Sequence, residues 1–420
     1  MTTLGLSGLH RNARTSILTE PLWAIFGTAA LFYLPLFMKD VGLSTVEIGL
    51  VISVNLYMAA VIQVLAGVVT NRLGRKRATF LFDVTSWVAP MAIWAISDNF
   101  WFFLVGYLLN ATSKVVNVSF WLLATEDSEE SQRPRIFAAI KVIILLAGLL
   151  VPAVGYFADR HGELPTFRVL FVLGTLAMLA HNLIRNAYSD ETAAGVRAMD
   201  LHQSAGLLRG VLDSIRLLAS AFRNATLRRV VGFFVFSTTA VNINVLLSVY
   251  LARELGFSGI VVGLVPAVAA CGALLCFLVV MPVLERRAST GRLAVYSAVV
   301  TVAGWVVFLF TGPGAVGLLL TGVAVFSIGT FALESYRDAL VVSCVHPDDR
   351  ADLFAAVQSL AGILAIPGGL VAALLYEATP KLLFGAILAL YVAAMLCGLG
   401  TRFSQQITVR LRRAVPTGAG

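Results

Sequence analysis

Long apolar stretches alternate with short polar ones along the chain from about residue 20 to residue 400. Each stretch approaches or exceeds the roughly 20 residues that a helix needs to cross a bilayer. The stretches lack the alternating polarity over ~10 residues that marks a strand of a membrane barrel. The pattern therefore predicts an all-α polytopic membrane protein with twelve transmembrane helices, at residues 20–37, 46–68, 78–97, 100–125, 135–158, 166–187, 229–252, 259–283, 292–310, 315–342, 352–376 and 382–400.

Composition and charge support this class and orient the chain. Hydrophobic residues make up 59% of it, charged residues 13%, and its mean hydropathy is +0.87. With both termini in the cytoplasm and residues at span ends counted with the nearer side, 23 of the 31 Lys and Arg fall on the cytoplasmic side and five fall outside, while Lys114, Lys141 and Arg337 lie deeper within spans. This positive-inside asymmetry predicts that both termini lie in the cytoplasm. The net charge of +8 is thus a topology signal, and we expect no nucleic-acid partner.

An internal repeat divides the chain into two halves. Residues 39–51 read KDVGLSTVEIGLV and residues 253–265 read RELGFSGIVVGLV, with five identities at an offset of 214 positions. A second pair of similar segments is RIFAAI at 135–140 and DLFAAV at 352–357. Two pairs of similar segments in the same order predict a duplication of six helices plus six, the parallel-repeat arrangement of a large class of transporters.

The repeat predicts four regions. They are an N-terminal six-helix bundle at 1–187, a cytoplasmic linker at 188–228, a C-terminal six-helix bundle at 229–400, and a basic cytoplasmic tail at 401–420. Within the linker, apolar residues recur at helical spacing at Leu208, Val211, Leu212, Ile215, Leu218 and Phe222. This spacing predicts an amphipathic helix on the membrane surface.

A basic motif, GVVTNRLGRKR at residues 67–77, joins the second and third spans. It resembles the signature G-x-x-x-D-R-x-G-R-[RK] of the major facilitator superfamily. The match covers Gly67, Arg72, Gly74, Arg75 and Lys76, and the departure is Asn71, where the family usually has Asp. In that family the loop latches the cytoplasmic sides of the two halves together. The resemblance therefore implies a latch in which Asn71 weakens one contact and Arg75 pairs with Glu126 or Asp127.

Two further likenesses are partial. The stretch GLLVPAVG at 148–155 fits a pattern of antiporters in the family only at Pro152 and Gly155. The stretches FDVTSW (82–87), FWLLATED (120–127) and RNA…ET (185–192) resemble a poorly characterised bacterial group of the superfamily. Neither likeness identifies a substrate.

Polar residues at membrane depth are the candidate solute site. A charge at the bilayer centre costs about 2.5–3.5 kcal/mol on insertion scales, so it usually faces a cavity or a partner. Lys114 lies near the middle of the fourth span, where Asn110, Asn117 and Trp121 share its helical face by spacing. We expect this face to bind solute, the alternative being an interhelical bridge. Further candidates are Asn55, Asn242 and Tyr33.

A second charged group, Glu334, Arg337 and Asp338, lies deep in the tenth span. Two carboxylates beside one guanidinium suit either proton coupling or a salt-bridged gate, and the sequence favours neither. We also expect Asp83 to pair with the basic loop, His181 to be structural beside Arg185, and the four cysteines to be buried small residues.

Together these features predict a secondary active transporter for a small polar or anionic solute, such as a sugar derivative, coupled to protons by symport or antiport. One alternative is a proton-coupled efflux pump for amphipathic compounds, and another is a non-transporting membrane sensor. The sequence contains no nucleotide-binding G-x-x-x-x-G-K-[ST] motif and no intramembrane catalytic motif. We expect no cofactor, no metal and no enzymatic activity; the expected partners are the solute, a proton and the bilayer.

Overall fold

The computed structural model describes residues 8–201, 224–343 and 350–399. These residues form helices and short connections, without a strand among them. We number the long helical units α1 Arg11–Val41, α2 Thr45–Leu73, α3 Arg75–Ile96, α4 Phe100–Asn110 with Ser113–Thr125, α5 Arg133–Gly148 with Val151–His161, α6 Glu163–Tyr188, α7 Ala225–Asn242 with Leu247–Glu254, α8 Gly259–Leu284, α9 Thr290–Leu309, α10 Val316–Ser343, α11 Arg350–Ala365 with Gly368–Ala378, and α12 Pro380–Leu399. A short linker helix, Ala193–Leu201, follows α6.

Ten helices of the described residues are long and apolar enough to cross a membrane. The two segments of α7, bent by 47°, make an eleventh span if they are counted together. The predicted fourth span is divided into helices of 11 and 13 residues, each shorter than a bilayer crossing requires. The chain is therefore a polytopic α-helical membrane protein, and the count of twelve spans stays a prediction.

The first helix begins well before the predicted residue 20. It starts at Arg11, and its polar residues Asn12, Ser16 and Glu20 are buried inside the protein rather than exposed to water. Hydropathy missed the segment 11–19 because it assigns polar residues to solvent. We call the side on which α1 begins the proximal side, and the side on which α1 ends and α2 begins the distal side.

The helices pack within each half of the chain and meet between the halves at a few places. In the N-terminal half (α1–α6), α1 packs on α5 and α6, and α4 packs on α2 and α3. In the C-terminal half (α7–α12), α9 packs on α10, and α7 packs on α12. Between the halves, α2 contacts α11 and α5 contacts α8.

Two glycine pairs allow these inter-half contacts to be close. A Cβ atom on Gly155 would lie 1.9 Å from the carbonyl oxygen of Gly259, and one on Gly49 would lie 2.5 Å from that of Gly369. Both pairs lie toward the distal side. Gly49 and its repeat counterpart Gly263 each sit in such a contact, and Gly263 lies against Tyr33 and α5. Close helix approach is thus a physical reason for glycine at the repeated position.

Two of the predicted regions lie outside the described residues, namely the amphipathic helix at 208–222 and the basic tail at 401–420. The cysteine prediction holds for Cys276, which is buried, and is wrong for Cys271, which is exposed on α8. An apolar thiol costs little on a helix surface that faces lipid.

Candidate functional site

The helix α4 breaks next to Lys114. Its first segment ends at Asn110 and its second begins at Ser113, with a tight turn in which the amide of Val115 donates to the carbonyl of Thr112. The predicted continuous stripe of four residues is therefore interrupted. Irregular backbone at membrane depth occurs where it is buried in protein or lines a cavity.

Lys114 lies on the one face of the second α4 segment that its neighbours leave open. Val115 packs against α2 and α3, and Val116 packs against α1 and α5. The remaining face holds Lys114 and Trp121, both partly exposed, and Asn117, which is exposed. Because α2 and α5 flank α4 and themselves contact the C-terminal half, this face points toward that half.

The ammonium group of Lys114 forms no ion pair or hydrogen bond with any other residue that the structure describes. The interhelical bridge to Glu334 or Asp338, the competing interpretation, is thus not formed in this conformation. Trp121 on the same face stacks on Phe137 of α5, with ring centroids 4.5 Å apart.

Three other predicted site residues donate hydrogen bonds to backbone carbonyl groups. Asn110 Nδ2 donates to Ser86 (2.8 Å), Asn55 Nδ2 to Tyr107 (2.7 Å), and the Tyr33 hydroxyl to Gly259 (3.3 Å). Asn110 and Tyr33 are buried as well. In this conformation these side chains join helices, and the Tyr33 bond joins the two halves.

The helix α7 also breaks at membrane depth. Its segments are separated at residues 243–246, where Asn242 and Asn244 are partly exposed. The oxygen Asn244 Oδ1 is buried and has no hydrogen-bond partner in the described structure. Broken helices whose free polar groups face a central site are a recurring feature of transporter folds.

The charged group on α10 packs against α7 within the C-terminal half. Arg337 Nε lies 3.0 Å from Asp338 Oδ1, a guanidinium nitrogen donates to Thr238 of α7 (2.9 Å), and the guanidinium lies over the ring of Phe234. Glu334 is partly exposed on the same helix.

The sequence analysis missed Lys141 as a partner of this group. Lys141 of α5 reaches across to α10, where its Nζ lies 5.7 Å from the ring centroid of Phe331, and its charge acts on Glu334. We call the region between the open face of α4 and the α10 residues Phe331 and Glu334 the central cleft. Lys141 could be recognised in the sequence only as a charge within a span, because its partners come from the other half.

The basic loop forms an ion pair within the N-terminal half. Arg75 Nε lies 3.1 Å from Glu126 Oε2, one of the two partners that the signature implied, and Arg75 also donates to Asn71 Oδ1 (3.0 Å). Glu191, at the start of the linker, accepts hydrogen bonds from the backbone amides of Arg75 (2.8 Å) and Lys76 (3.0 Å). It therefore places a carboxylate at the N-terminus of α3, where a negative charge is favourable.

The three group-specific stretches converge on this side of the N-terminal half. Asp83, from the first stretch, pairs with Arg185, from the third, and not with the basic loop. From the second stretch, Glu126 accepts a hydrogen bond from the Thr192 hydroxyl (2.6 Å), and Asp127 accepts one from a linker amide. Their wide separation in sequence concealed these contacts.

A charged network closes the distal side. Arg253, at the end of α7, pairs with Asp40 of α1 and Glu163 of α6. Asp159 of α5 accepts hydrogen bonds from the backbone amides of Gly259 (2.6 Å) and Ile260 (2.9 Å), at the start of α8. These inter-half contacts were not predicted, because each residue by itself reads as an ordinary loop charge.

These features define a two-half helical membrane protein with polar groups between its halves. The sequence profile described as Major Facilitator Superfamily matches residues 22–363. The chain belongs to the Major Facilitator Superfamily, as the motif between α2 and α3 indicated. No curated protein matches the sequence.

Solved transporters share the fold. A point mutant of the nucleoside transporter NupG superposes with a TM-score of 0.71 at 15% identity, covering 95% of this chain and 100% of that one. A POT family transporter in complex with 5-aminolevulinic acid gives 0.68 at 11% identity, covering 93% and 95%. A structure from a study of proton dependent oligopeptide transporters gives 0.67 at 16% identity, covering 93% and 96%. Family and fold indicate a membrane transporter and not an enzyme.

Proposed function

We propose that this protein is a secondary active transporter that moves a small polar or anionic solute across the bacterial inner membrane, with both termini in the cytoplasm. The observation that carries the proposal is Lys114, an ammonium group that faces the C-terminal half and has no described ion-pair or hydrogen-bond partner. An unpaired charge at this depth is costly unless water or a ligand reaches it. A solute with a carboxylate, phosphate or electronegative hydroxyl group supplies that partner.

The charges around the central cleft support an anionic group. Lys114, Lys141 and Arg337 supply three cations, whereas Glu334 and Asp338 supply two carboxylates. Asn117 on α4 and Asn242 at the break of α7 add neutral hydrogen-bonding groups that can orient the solute. The solved structures that share this fold include a nucleoside transporter and a structure from a study of proton dependent oligopeptide transporters, and nucleosides and oligopeptides are polar solutes.

Alternating access follows from the contacts between the halves. In this structure the distal side is joined by Arg253, Asp159 and the two glycine pairs. With cytoplasmic termini, the closed side is the external one, and solute exchanges with the cytoplasm. Release of the distal contacts and closure at the proximal latch of Arg75 and Asn71 would complete the cycle, driven by a proton gradient.

One observation favours a second candidate function, the efflux of amphipathic compounds. Trp121, on the same face of α4 as Lys114, stacks on Phe137, and Pro152 and Gly155 of the antiporter-like stretch lie at the α5–α8 contact. An aromatic surface beside a cation would suit a solute with both an apolar and an anionic part.

The test is ligand binding by purified protein. A thermal-shift screen of sugars, sugar acids, nucleosides, small peptides and common drugs identifies a ligand, and its Kd is then measured on Lys114→Ala and on Lys381→Ala. We expect at least tenfold weaker binding by Lys114→Ala, about 1.4 kcal/mol. Lys381 is an exposed lysine at the start of α12, so its removal should leave Kd unchanged.

Two outcomes contradict parts of the proposal. Unchanged affinity in well-folded Lys114→Ala protein would exclude Lys114 from the site. Ligand binding without flux in proteoliposomes, under either gradient direction, would indicate a membrane sensor instead of a transporter.

A further inference from the structure

A second group of charged side chains lies inside the N-terminal half, separate from the central cleft. Glu20 of α1, Asp83 of α3, and His181 and Arg185 of α6 are each at most 5% exposed. The membrane and the surrounding helices remove these groups from water. Their charges must therefore be balanced within the group, because an unpaired buried charge is strongly unfavourable.

The hydrogen bonds fix the protonation state of His181. Its Nδ1 lies 2.9 Å from the carbonyl oxygen of Thr19, and its Nε2 lies 2.9 Å from a guanidinium nitrogen of Arg185. A carbonyl oxygen only accepts, so Nδ1 carries the hydrogen, and a guanidinium only donates, so Nε2 is the acceptor. His181 is therefore neutral, and a proton added to it would face the guanidinium donor.

The remaining charges do not balance. Arg185 forms an ion pair with Asp83, and its charge also attracts Glu20. Two carboxylates thus share one guanidinium, which leaves one net negative charge. The residues that α4 and α5 pack against the start of α1 are apolar, namely Val116, Phe120, Ala124, Ile136 and Ile140. Among the described residues, Arg185 is the one cation whose charge acts on Glu20.

We propose that Glu20 binds a proton and that this group is the proton site of the transporter, a step that rests on the proposed function. Asp83 keeps its charge because it holds the direct ion pair with Arg185, and His181 has both ring nitrogens engaged. Glu20 is the remaining acceptor, and one proton on it makes the group neutral. By the same count, Lys141 and Arg337 already balance Glu334 and Asp338, so that group needs no added proton to be neutral.

The position of Glu20 connects the proton to the conformational change. The same helix, α1, carries Tyr33 and Asp40, which contact Gly259 and Arg253 of the C-terminal half on the distal side. Deprotonation of Glu20 restores the unbalanced charge beside α6 and changes how α1 packs there. The helix α1 runs from Glu20 past Pro21 and Pro35 to Asp40 as one element, and it is the physical route from the buried group to the distal contacts.

The test is pH-titrated infrared difference spectroscopy of the purified protein, and it requires neither a substrate nor transport. A protonated carboxyl group in a dry environment gives a C=O stretching band that is separate from the amide bands. On acidification, wild-type protein should gain one such band. Glu20→Gln should lack it, and Glu334→Gln should retain it.

A second substitution at Glu20 tests the proposal even if Glu20→Gln does not fold. Glu20→Asp retains a carboxyl group and should shift the band and its pH midpoint, which covers the case in which Glu20→Gln does not fold. A band that persists in folded Glu20→Gln, that disappears in Glu334→Gln, or that is absent from wild-type protein would overturn the proposal. Failure of solute flux in proteoliposomes with an intact Glu20 band would count against the transporter function alone.

Discussion

Asp159 Oδ1 lies 2.6 Å from the backbone nitrogen of Gly259, so a carboxylate of the N-terminal half caps a helix of the C-terminal half. The residue in the local N-cap position of α8, Ser258, makes no capping hydrogen bond of its own. The first turn of α8 therefore depends on Asp159, and in this structure that cap is present with the distal side closed.

The corresponding helix in the other repeat is capped locally. Ser44, the counterpart of Ser258, forms a complete capping box with Glu47 at the start of α2. The counterpart of Glu47 in the second copy is Val261, which cannot close such a box. The two copies have thus diverged in a way that turns a local helix cap into a contact between the halves.

Removing this cap should destabilise the distal-closed conformation. Loss of an N-cap costs about 0.5–2 kcal/mol, so Asp159→Ala should lower the ratio of closed to open molecules by about 2- to 30-fold. Spin labels at the exposed distal positions Arg160 and Glu377 report the distance between the halves. Asp98→Ala, an exposed distal carboxylate without an inter-half contact, is the matched control; an equal distance shift in both variants would argue against a specific cap.

The glycine contact between α5 and α8 gives a second prediction. A methyl group at Gly155 would lie 1.9 Å from the carbonyl oxygen of Gly259, so Gly155→Ala should force the helices apart. Overpacking typically costs about 1–3 kcal/mol, and here it is removed when the distal side opens. The same spin-label pair should report a larger open population. Gly385→Ala on α12 is the control, because its Cβ meets no atom within 4 Å; a closed Gly155→Ala protein would contradict the packing argument.

Much of the fold was predictable because each span is a local property of sequence. Hydropathy found the long helices, the repeat indicated two related halves, and the loop motif indicated the family. The breaks in α4 and α7 were missed because long apolar segments flank both of them, so the short polar stretches at 110–114 and 242–244 read as polar residues within one continuous span. Composition does not distinguish a broken helix from a continuous one in lipid.

The site was predictable in part for the same reason. Lys114 could be recognised as a charge within an apolar run, and this inference requires no knowledge of the residues that other helices place near it. The contacts of Lys141, Asp159, Glu191 and Arg253 depend on helices distant in sequence, so no local pattern showed them. Glu20 was missed because it is the first residue of the predicted first span, where a charge reads as one at the membrane surface.

The linker should be held in place by Glu191. Gly74 provides no side-chain cap for α3, and Glu191 accepts from the first two backbone amides instead. Glu191→Ala should therefore cost about 1 kcal/mol and loosen residues 192–201. Hydrogen exchange in this segment and tryptic cleavage at Arg197 should both accelerate. Glu130→Ala, which removes a side chain that is 92% exposed, should change neither rate; an unaltered linker in Glu191→Ala would show that other contacts hold it.

The buried ion pair between Arg185 and Asp83 should dominate the stability of the N-terminal half. Arg185→Gln leaves two buried carboxylates without a cation, and breaking such a pair typically costs about 3–5 kcal/mol. The matched control is Arg11→Gln, which breaks an exposed pair with Asp190, of the kind that contributes about 0–1 kcal/mol. Thermal unfolding monitored by circular dichroism should show a much lower midpoint for Arg185→Gln than for Arg11→Gln at neutral pH.

The pH dependence of the unfolding midpoint shows whether Arg185→Gln destabilises the protein by removing a balancing charge or by removing packing contacts. Acidification protonates Glu20 and Asp83 and removes the repulsion that Arg185→Gln creates. The difference in midpoint between wild type and Arg185→Gln should therefore narrow as the pH falls, in the range where both proteins remain folded. If Arg185→Gln destabilises the protein only by removing the contact of the guanidinium with the Phe120 ring, the decrease in unfolding midpoint should be the same at every pH. A difference that stays constant or widens on acidification would show that the guanidinium acts through packing and not by balancing the two carboxylates.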